Sequence, residues 1–299
     1  MTETLNTRCG FAAIIGAPNA GKSTLVNKLV GAKISIVSHK VQTTRARIRA
    51  IYMNGSSQVV LVDTPGIFKP RRRLDEAMVG NAWGGASEAD AVVLLVDARR
   101  GADDEVKAII ENFKGQNLKA ILVINKIDLL PAEKLLPISQ DINALYDFSE
   151  TFMVSAVTGS GVEKLGERLA ALMPLSHWLY PEDQTADVHL RFIASEITRE
   201  KIYERLHEEL PYASTVETEG WEERKDGSVK INQMIFVARD SQKAIVLGKQ
   251  GAQIKLLGQL ARAEMEESFG RKVHLFLFVK VRENWAEDPE RLRMMGLEL

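Results

Sequence analysis

The feature that most constrains the fold is a glycine-rich octapeptide, Gly16-Ala17-Pro18-Asn19-Ala20-Gly21-Lys22-Ser23, which fits the pattern G-x-x-x-x-G-K-S. It stands between an apolar, strand-like run at 11–16 and a helix-like run that begins at Lys22. In this position the glycines let successive backbone N–H groups point at phosphate oxygens, and the start of the helix adds positive potential. The alternative is a glycine turn that only closes a strand–helix unit, but a chance match to the whole pattern has odds of about 1%. The sequence therefore predicts a phosphate-binding loop.

Strand-like and helix-like runs alternate through the first part of the chain, which predicts an α/β fold with a mostly parallel sheet. Asn54-Gly55 separates two strand-like runs and is typical of a hairpin, so one edge strand should be antiparallel. The strand-like runs are 11–16, 48–52, 57–63, 91–96, 120–125 and 151–155. There are three helix-like runs: the first begins at Lys22, the second begins near Asp104, and the third ends at Leu172.

Pro174, Pro181 and the polar run at 182–185 interrupt this alternation and predict a linker. We place the first domain at 1–174, the linker at 175–187 and a second domain at 188–299. In the second domain the order of the predicted elements is αββααβ, which indicates a small α+β domain.

Composition and charge exclude several classes of protein. The longest apolar runs have strand length, far short of the roughly 20 residues that span a bilayer, and the N-terminus shows no secretory signal. The single cysteine, Cys9, cannot form an internal disulfide, so we expect a cytoplasmic protein. The net charge is only −1, but residues 204–226 carry three basic and eight acidic residues, whereas residues 227–282 carry ten basic and four acidic ones. This segregation predicts one basic face.

Two further motifs follow strand-like runs and predict how the phosphates and the base are held. In Asp63-Thr64-Pro65-Gly66 the carboxylate of Asp63 is expected to hold Mg²⁺ through water, and the N–H of Gly66 is expected to bond the γ-phosphate. In Asn125-Lys126-Ile127-Asp128 the carboxylate of Asp128 suits guanine, because guanine offers two donors where adenine offers none.

Together with Ser155-Ala156, whose Ala156 N–H is expected to bond guanine O6, these motifs resemble a translation-factor-type GTPase domain with GTP or GDP and Mg²⁺ as ligands. Lys22 should bridge the β- and γ-phosphates, and Ser23 should ligate Mg²⁺. The full set of expected nucleotide-binding residues is Gly16, Asn19, Ala20, Gly21, Lys22, Ser23, Thr24, Asp63, Gly66, Asn125, Lys126, Asp128, Ser155 and Ala156.

The motif Gln42-Thr43-Thr44-Arg45 supplies two neighbouring hydroxyls, and resemblance to other GTPases with this sequence favours Thr44 as the second protein ligand of Mg²⁺. The alternative is a polar surface loop.

The position after Gly66 holds Ile67, whereas Ras-like proteins have a glutamine there that orients the attacking water. The sequence thus resembles GTPases that lack this glutamine and in some members use a monovalent cation, here K⁺ beside Asn19. Lys22, Thr44, Gly66 and Asn19 are therefore the expected catalytic residues.

Gly248-Lys249-Gln250-Gly251 stands between two predicted helices of the second domain, and Lys243 and Lys255 flank it. A KH domain uses such a G-x-x-G loop to clamp the backbone of about four unpaired nucleotides. The αββααβ order and the local positive charge favour an RNA site at these residues. A helix-turn-helix with a solvated loop is the alternative.

With both domains considered, the chain resembles the Era family of bacterial GTPases, which join a GTPase domain to a C-terminal KH domain. Besides the GTPase motifs, the resemblance includes 194–201, 209–212, 246–249 and 280–285. It implies binding to the 3′ region of small-subunit ribosomal RNA and a role in maturation of the small ribosomal subunit. It also implies peripheral contact with the inner face of the cell membrane, which no residue pattern here supports, and we expect a monomer.

Two other functions stay open at this point. The chain could be an RNA-binding assembly protein in which GTP is a structural ligand, or a membrane-surface signalling GTPase, although it lacks a lipidation motif. The run Arg71-Arg72-Arg73 is either a solvated charge run or a contact for RNA or a ribosomal protein. The five histidines show no metal-ligand spacing.

Overall fold

The computed structural model describes residues 6–38, 40, 43–70, 73–294 and 297. The chain divides into two compact units. Thr44–Asp187 and the residues before Ile36 form most of the first unit, and Val188–Met294 forms most of the second, together with Ile36–Thr43. The units therefore differ from the predicted division in two places: the segment 175–187 belongs to the first unit, and a short stretch before Thr44 belongs to the second. None of the helices in the described part of the chain is long and apolar enough to cross a membrane.

The first unit is built on a six-stranded sheet in the order β2-β3-β1-β4-β5-β6. All neighbouring pairs are parallel except β2 and β3, which confirms the predicted mostly parallel sheet with one antiparallel edge strand. The strands are β1 (Arg8–Ile15), β2 (Ile48–Asn54), β3 (Ser57–Asp63), β4 (Ala91–Asp97), β5 (Ala120–Asn125) and β6 (Thr151–Met153).

Helices cover the sheet, and β3, β4 and β5 are accordingly buried along their whole length. The helices of this unit are α1 (Lys22–Val30), α2 (Arg73–Ser87), α3 (Asp104–Gln116), α4 (Ala132–Asn143) and α5 (Val162–Leu172). Helices α2 and α4 were not predicted from the sequence. The parallel arrangement brings the carboxyl ends of β1, β3, β4 and β5 to one edge of the sheet, where open α/β sheets bind ligands.

The segment 175–187 is fastened to the first unit through the side chain of Gln58, which is fully buried in β3. The Gln58 Oε1 accepts hydrogen bonds from the backbone N–H groups of Leu179 and Tyr180 at 2.9 and 3.0 Å. Its Nε2 donates to the carbonyl of Tyr180 at 2.8 Å. The segment predicted as a linker is therefore an ordered part of this unit.

The second unit has the predicted order αββααβ. Its elements are α6 (Leu190–Arg205), β7 (Ser214–Glu223), β8 (Val229–Val237), α7 (Asp240–Leu247), α8 (Ala252–Phe269) and β9 (Val273–Val281), followed by a short helix, α9 (Pro289–Met294). The sheet order is β7-β8-β9, with β7 antiparallel and β9 parallel to β8. The helices pack against one face of this sheet and enclose a core around Ile202, Ile235 and Leu257.

Helix α6 also holds the short stretch that precedes Thr44. The Arg199 side chain, only 2% exposed, donates to the carbonyl oxygen of Thr43 and forms an ion pair with Glu196. The carboxylate of Glu200, equally buried, accepts from the Val37 N–H at 2.8 Å. Buried charged groups need such partners, because desolvation is costly for an ion without one.

Candidate functional site

The predicted phosphate loop connects β1 to α1, as the sequence indicated. Gly21 adopts φ = 98°, a left-handed conformation, and a Cβ atom there would lie 2.3 Å from the Asn125 Nδ2. Both its conformation and its close approach to Asn125 therefore require glycine. Helix α1 begins at the next residue, so the N–H groups of its first turn face the loop.

Lys22 is buried inside this loop. Its Nζ donates to the carbonyl oxygens of Gly16 and Ala17 at 3.0 and 2.9 Å. Burial lowers the pKa of Lys22 to about 8. The ammonium is thus held by the loop's own carbonyls, in the place where a phosphate chain would need a positive charge.

Three oxygen-bearing side chains meet at the metal site predicted from the sequence. The hydroxyls of Ser23 and Thr44 lie 2.8 Å apart. Asp63 ends β3 fully buried, and neither carboxylate oxygen has a hydrogen-bond partner among the described residues. Burial raises the pKa of Asp63, and the charge of Lys22 opposes that shift. Hydroxyl and carboxylate oxygens are the ligands that Mg²⁺ prefers, so this donor set fits the ion.

Gly66 comes so close to the phosphate loop that a Cβ atom on it would lie 2.9 Å from the backbone nitrogen of Pro18. The next residue, Ile67, is 8% exposed and donates its backbone N–H to Gly16 O at 3.1 Å. The Ile67 side chain packs into the apolar core of the first unit. It therefore cannot orient a water molecule.

Asn125 joins three of the predicted motifs. Its side chain is buried, and its Nδ2 donates to Ala20 O at 2.9 Å. Its Oδ1 accepts from the Ala156 N–H at 3.0 Å. The Ala156 N–H, which the sequence assigned to guanine O6, is thus occupied by Asn125, and contact with a base requires this bond to be exchanged or shared.

Lys126 lies beside the phosphate loop in a left-handed conformation, φ = 64°. Its Nζ donates to Asn19 O at 2.5 Å and pairs with the Asp97 carboxylate at 2.8 Å. Burial would raise the pKa of Asp97, but hydrogen bonds from Arg99 and Lys126 outweigh it and hold the pKa at about 2. Asp97 was missed by the sequence analysis. The available signal was its position at the end of β4, on the same edge as Asp63 and Asn125.

The remaining predicted residues of this site lie on the same edge. Asp128 is exposed in a 3-10 turn after β5, at the rim of the site, and Ser155 is buried two residues after β6. Thr24 lies in the first turn of α1. Gln42, Arg71 and Arg72 lie outside the described residues, so their predicted roles stay predictions.

The G-x-x-G loop connects α7 to α8, as predicted. Gly248, Gln250 and Gly251 all have positive φ values of 71°, 53° and 77°. A Cβ atom on Gly248 would lie 2.6 Å from the Gln253 Cβ, whereas nothing lies within 4 Å of one on Gly251. The loop therefore needs Gly248 for its own packing, while the backbone at Gly251 stays open to a ligand.

Basic side chains surround this loop. Lys249 and Lys255 are exposed and Lys243 is half-buried. A cavity of about 760 Å³ opens beside Gly248, between α7 and the residues that follow α6. It is lined by Arg205, Leu206, His207, Glu208, Glu209, Leu210, Arg239, Ser241, Gln242, Ile245, Gly248 and Gln253.

The strand order of the first unit, with the phosphate loop, the buried carboxylate and Asn125 at one edge of the sheet, is that of a P-loop GTPase domain. The second unit has the element order and the loop of a KH domain. Comparisons with known proteins agree: residues 11–126 match the family described as "50S ribosome-binding GTPase", and residues 209–286 match the family described as "KH domain".

Relatives resemble the chain along almost its whole length. GTPase Era of Brucella suis biovar 1 (strain 1330) is 59% identical over 297 residues, which are 99% of this chain and 96% of the relative. GTPase Era of Afipia carboxidovorans is 62% identical over 292 residues, 98% of this chain and 95% of the relative. The chain belongs to the Era family of GTPases, and it is a GTP-hydrolysing enzyme.

Solved structures of the family resemble the chain along almost its whole length. A variant of Era from Aquifex aeolicus bound to GDP and AlF₄⁻ is 36% identical with a TM-score of 0.93, and the match covers 98% of this chain and 100% of that one. Era in complex with MgGDPNP and nucleotides 1506–1542 of 16S ribosomal RNA has the same identity, TM-score and coverage.

Proposed function

We propose that this GTPase binds GTP and GDP with Mg²⁺ at the edge of the first sheet and small-subunit ribosomal RNA at the G-x-x-G loop, and that it assists maturation of the small ribosomal subunit. The observation that carries the first half is the buried, unpaired carboxylate of Asp63 beside the hydroxyls of Ser23 and Thr44. When bound there, Mg²⁺ neutralises charge that develops on the phosphates. We assign Lys22, Thr44 and Gly66 to the γ-phosphate end of the nucleotide.

The guanine base is assigned to Asn125, Lys126, Asp128, Ser155 and Ala156. Asn125 holds the loop at Ala20 and the loop at Ala156 together, which supports the assignment of the base to these residues. Asp128, at the rim, is the group that distinguishes guanine from adenine, because its carboxylate accepts from the N1–H and the amino group of guanine.

A monovalent cation, K⁺, is part of the proposal and is placed beside Asn19. The Ile67 side chain is committed to the core, so catalysis needs another source of electrostatic stabilisation for the developing charge. Asn19 lies in the phosphate loop with φ = 62°, and its carbonyl is fixed by Lys126. Hydrolysis should be faster in K⁺ than in Na⁺ at constant ionic strength, and Asn19→Ala should abolish the difference while leaving most GTP binding intact. Equal rates in the two salts would refute the cation.

The RNA half of the proposal rests on the open backbone of Gly251 and the exposed lysines around it. Loops of this kind clamp the backbone of about four unpaired nucleotides. The solved Era complex with 16S ribosomal RNA supports the same ligand class for this chain.

Single-turnover GTP hydrolysis with and without the 3′ region of 16S ribosomal RNA tests the combined function. A switch protein should hydrolyse GTP slowly alone and faster with its RNA, because P-loop sites without a partner turn over slowly. A rate that ignores the RNA would favour the other candidate, an assembly protein in which GTP is a structural ligand.

The RNA site is tested by replacing Lys249 and Gln250 with Asp, which keeps both glycines. Repulsion between the carboxylates and phosphates should weaken RNA binding at least tenfold, roughly 1.4 kcal/mol, and flatten its salt dependence. A matched control replaces Lys134 and Gln140, both exposed on α4, in the same way. Wild-type RNA affinity in the first variant would show that the loop is an ordinary helix connection.

The proposal includes a monomer that works in the cytoplasm. Peripheral contact with the membrane rests on family resemblance alone. Flotation with anionic vesicles would test the membrane contact, and light scattering would test the monomeric state. A monomer that does not float with the vesicles would leave the RNA as the partner.

A further inference from the structure

The three-stranded sheet of the second unit has one covered and one open face. On the covered face, Ile235 of β8 and Leu277 and Val279 of β9 pack with the helices. Side chains alternate between the faces of a strand, so Phe276 and Phe278 point away from the helices. They are 45% and 50% exposed, which is unusual for two aromatic residues on one strand.

The two rings form a small apolar strip. Phe276 lies opposite Asn232 and Phe278 lies opposite Met234 in the parallel ladder between β8 and β9. Residues two apart on a strand are separated by about 6.6 Å. That spacing is about twice the rise of 3.4 Å between stacked bases, so the strip can accept flat rings on or between its own.

Part of the remainder of this face is covered. Phe236, at the other end of β8, is only 3% exposed. Trp285, 2% exposed, donates its Nε1–H to Ala213 O at 3.0 Å at the same end of the sheet. On β9 the open part of the face therefore consists of Phe276, Phe278 and Lys280.

Charge across the sheet selects what can lie on this strip. Strand β7 carries four glutamates and no lysine or arginine, whereas β9 carries Lys280 and no carboxylate. The order β7-β8-β9 puts these strands at opposite edges. Glu222 and Glu223 form ion pairs with Lys230 and Arg271, so the negative charge of the β7 edge comes mainly from Glu217 and the exposed Glu219. Lys280 is exposed two residues after Phe278. A polyanion is therefore favoured at the β9 edge over the β7 edge.

Strand β9 separates this strip from the helices that carry the G-x-x-G loop. Leu277, between the two phenylalanines, packs against α8 at Gly258 on the covered face. Within the described sheet β9 is an edge strand, and α7 and α8 lie against it, so its outer edge connects the helical face to the open face. An RNA strand that leaves the G-x-x-G loop can pass around this edge.

We propose that Phe276 and Phe278 form a stacking platform for unpaired bases of the same RNA, beyond the nucleotides held at the G-x-x-G loop. The platform rests on the proposed RNA-binding function and extends it to a second contact on the opposite face of the sheet. Aromatic side chains on open sheets bind bases by stacking in other single-strand binders, with little dependence on sequence.

The test compares RNA binding by the full-length protein and by the double variant Phe276→Leu, Phe278→Leu. Leucine keeps the apolar surface but removes the flat ring. Two unpaired RNA probes are used, one of about four nucleotides that fills only the loop and one of about ten that can reach the platform. The double variant should bind the longer RNA at least tenfold more weakly and the shorter RNA as wild type does.

A second variant, Phe278→Trp, keeps a ring and adds a fluorophore. It should retain wild-type affinity, and the longer RNA should quench its added fluorescence while the shorter RNA does not. Leu136→Ala, which changes an apolar side chain that is 62% exposed on α4, is the matched control and should change neither affinity.

Wild-type affinity of the double leucine variant for the longer RNA would overturn the platform, because an apolar surface without rings would then suffice. An equal loss for both RNAs would overturn it as well. Failure of the proposed RNA function is distinguishable from either result: it would appear as undiminished binding of both RNAs by the Lys249→Asp, Gln250→Asp variant.

Discussion

The carboxylate of Asp128 is exposed at the rim of the nucleotide site, where a base would enter. Asp128→Asn replaces one acceptor by an amide donor, which suits the 2-oxo group of xanthine better than the amino group of guanine. Binding should shift from GTP towards XTP, measured by equilibrium titration with both nucleotides. Unchanged affinity for GTP and no gain for XTP would contradict the proposed base site.

The contacts of Asp97 with Arg99 and Lys126 predict a pH dependence of stability. They lower the pKa of Asp97 in the folded protein to about 2, so they stabilise the fold above pH 4 and this contribution is lost as the pH falls towards 2. Asp97→Asn should reduce the free energy of unfolding at pH 6 by roughly 2 kcal/mol and flatten its decline in acid, as measured by urea unfolding between pH 3 and 6.

Asp141→Asn changes an exposed carboxylate on α4 and is the control for this effect. It should shift stability by less than about 0.5 kcal/mol. If Asp97→Asn kept the wild-type decline below pH 4, the carboxylate would not be the group that titrates.

At single residues, sequence reasoning identified the motifs but not the bonds between them. Asn125 was assigned from its motif, yet its bonds to Ala20 and Ala156 depend on loops that lie more than 100 and more than 30 residues away in the chain, respectively. Asp97 carried no motif at all. Such contacts arise when strand ends meet at a sheet edge, and no local pattern encodes which partners they find.

Strand β3 contributes a buried glutamine that fastens residues 175–187, and this predicts a measurable loss of stability. Gln58→Leu keeps the approximate volume but leaves the N–H groups of Leu179 and Tyr180 without their acceptor. We expect a loss of about 1–3 kcal/mol in the free energy of unfolding, measured by urea titration.

Gln140→Leu, at an exposed position of α4, is the matched substitution and should have little effect. A small effect of Gln58→Leu as well would mean that the segment is held by its other hydrogen bonds, such as that between the Ile51 N–H and Thr185 O.

The strands and most helices could be predicted from apolar periodicity, whereas α2 and α4 could not. Helix α2 contains Gly80, Gly84 and Gly85, which weaken helix propensity, and α4 contains Pro137. Burial of Leu74, Met78, Ala82 and Ala86, each four residues after the last, shows that packing of one helix face overrides propensity in α2. The segment 175–187 was wrongly predicted as a linker because Pro181 and the polar residues after it are typical of linkers, although its backbone groups pair with the sheet.

The two units have separate apolar cores, so we expect them to unfold in two separate transitions. A ligand of the first unit and a core substitution in the second unit should then shift different transitions. GDP should raise the melting temperature of the first unit, because a ligand stabilises only the unit that binds it. Ile231→Ala, at a fully buried site of β8, should lower the transition of the second unit by removing about 2–5 kcal/mol.

Differential scanning calorimetry with and without GDP would separate these effects. A GDP-dependent shift that moved both transitions equally in the Ile231→Ala protein would contradict independent unfolding of the two units.

The close approach of Gly21 to Asn125 restricts how the nucleotide site can change over evolutionary time. Any side chain at position 21 meets the Asn125 amide, and a smaller residue at position 125 releases both Ala20 and Ala156. Each single replacement is therefore harmful before the other can compensate for it. Replacement of this pair therefore requires simultaneous changes at positions 21 and 125. Related proteins should differ at both positions or at neither.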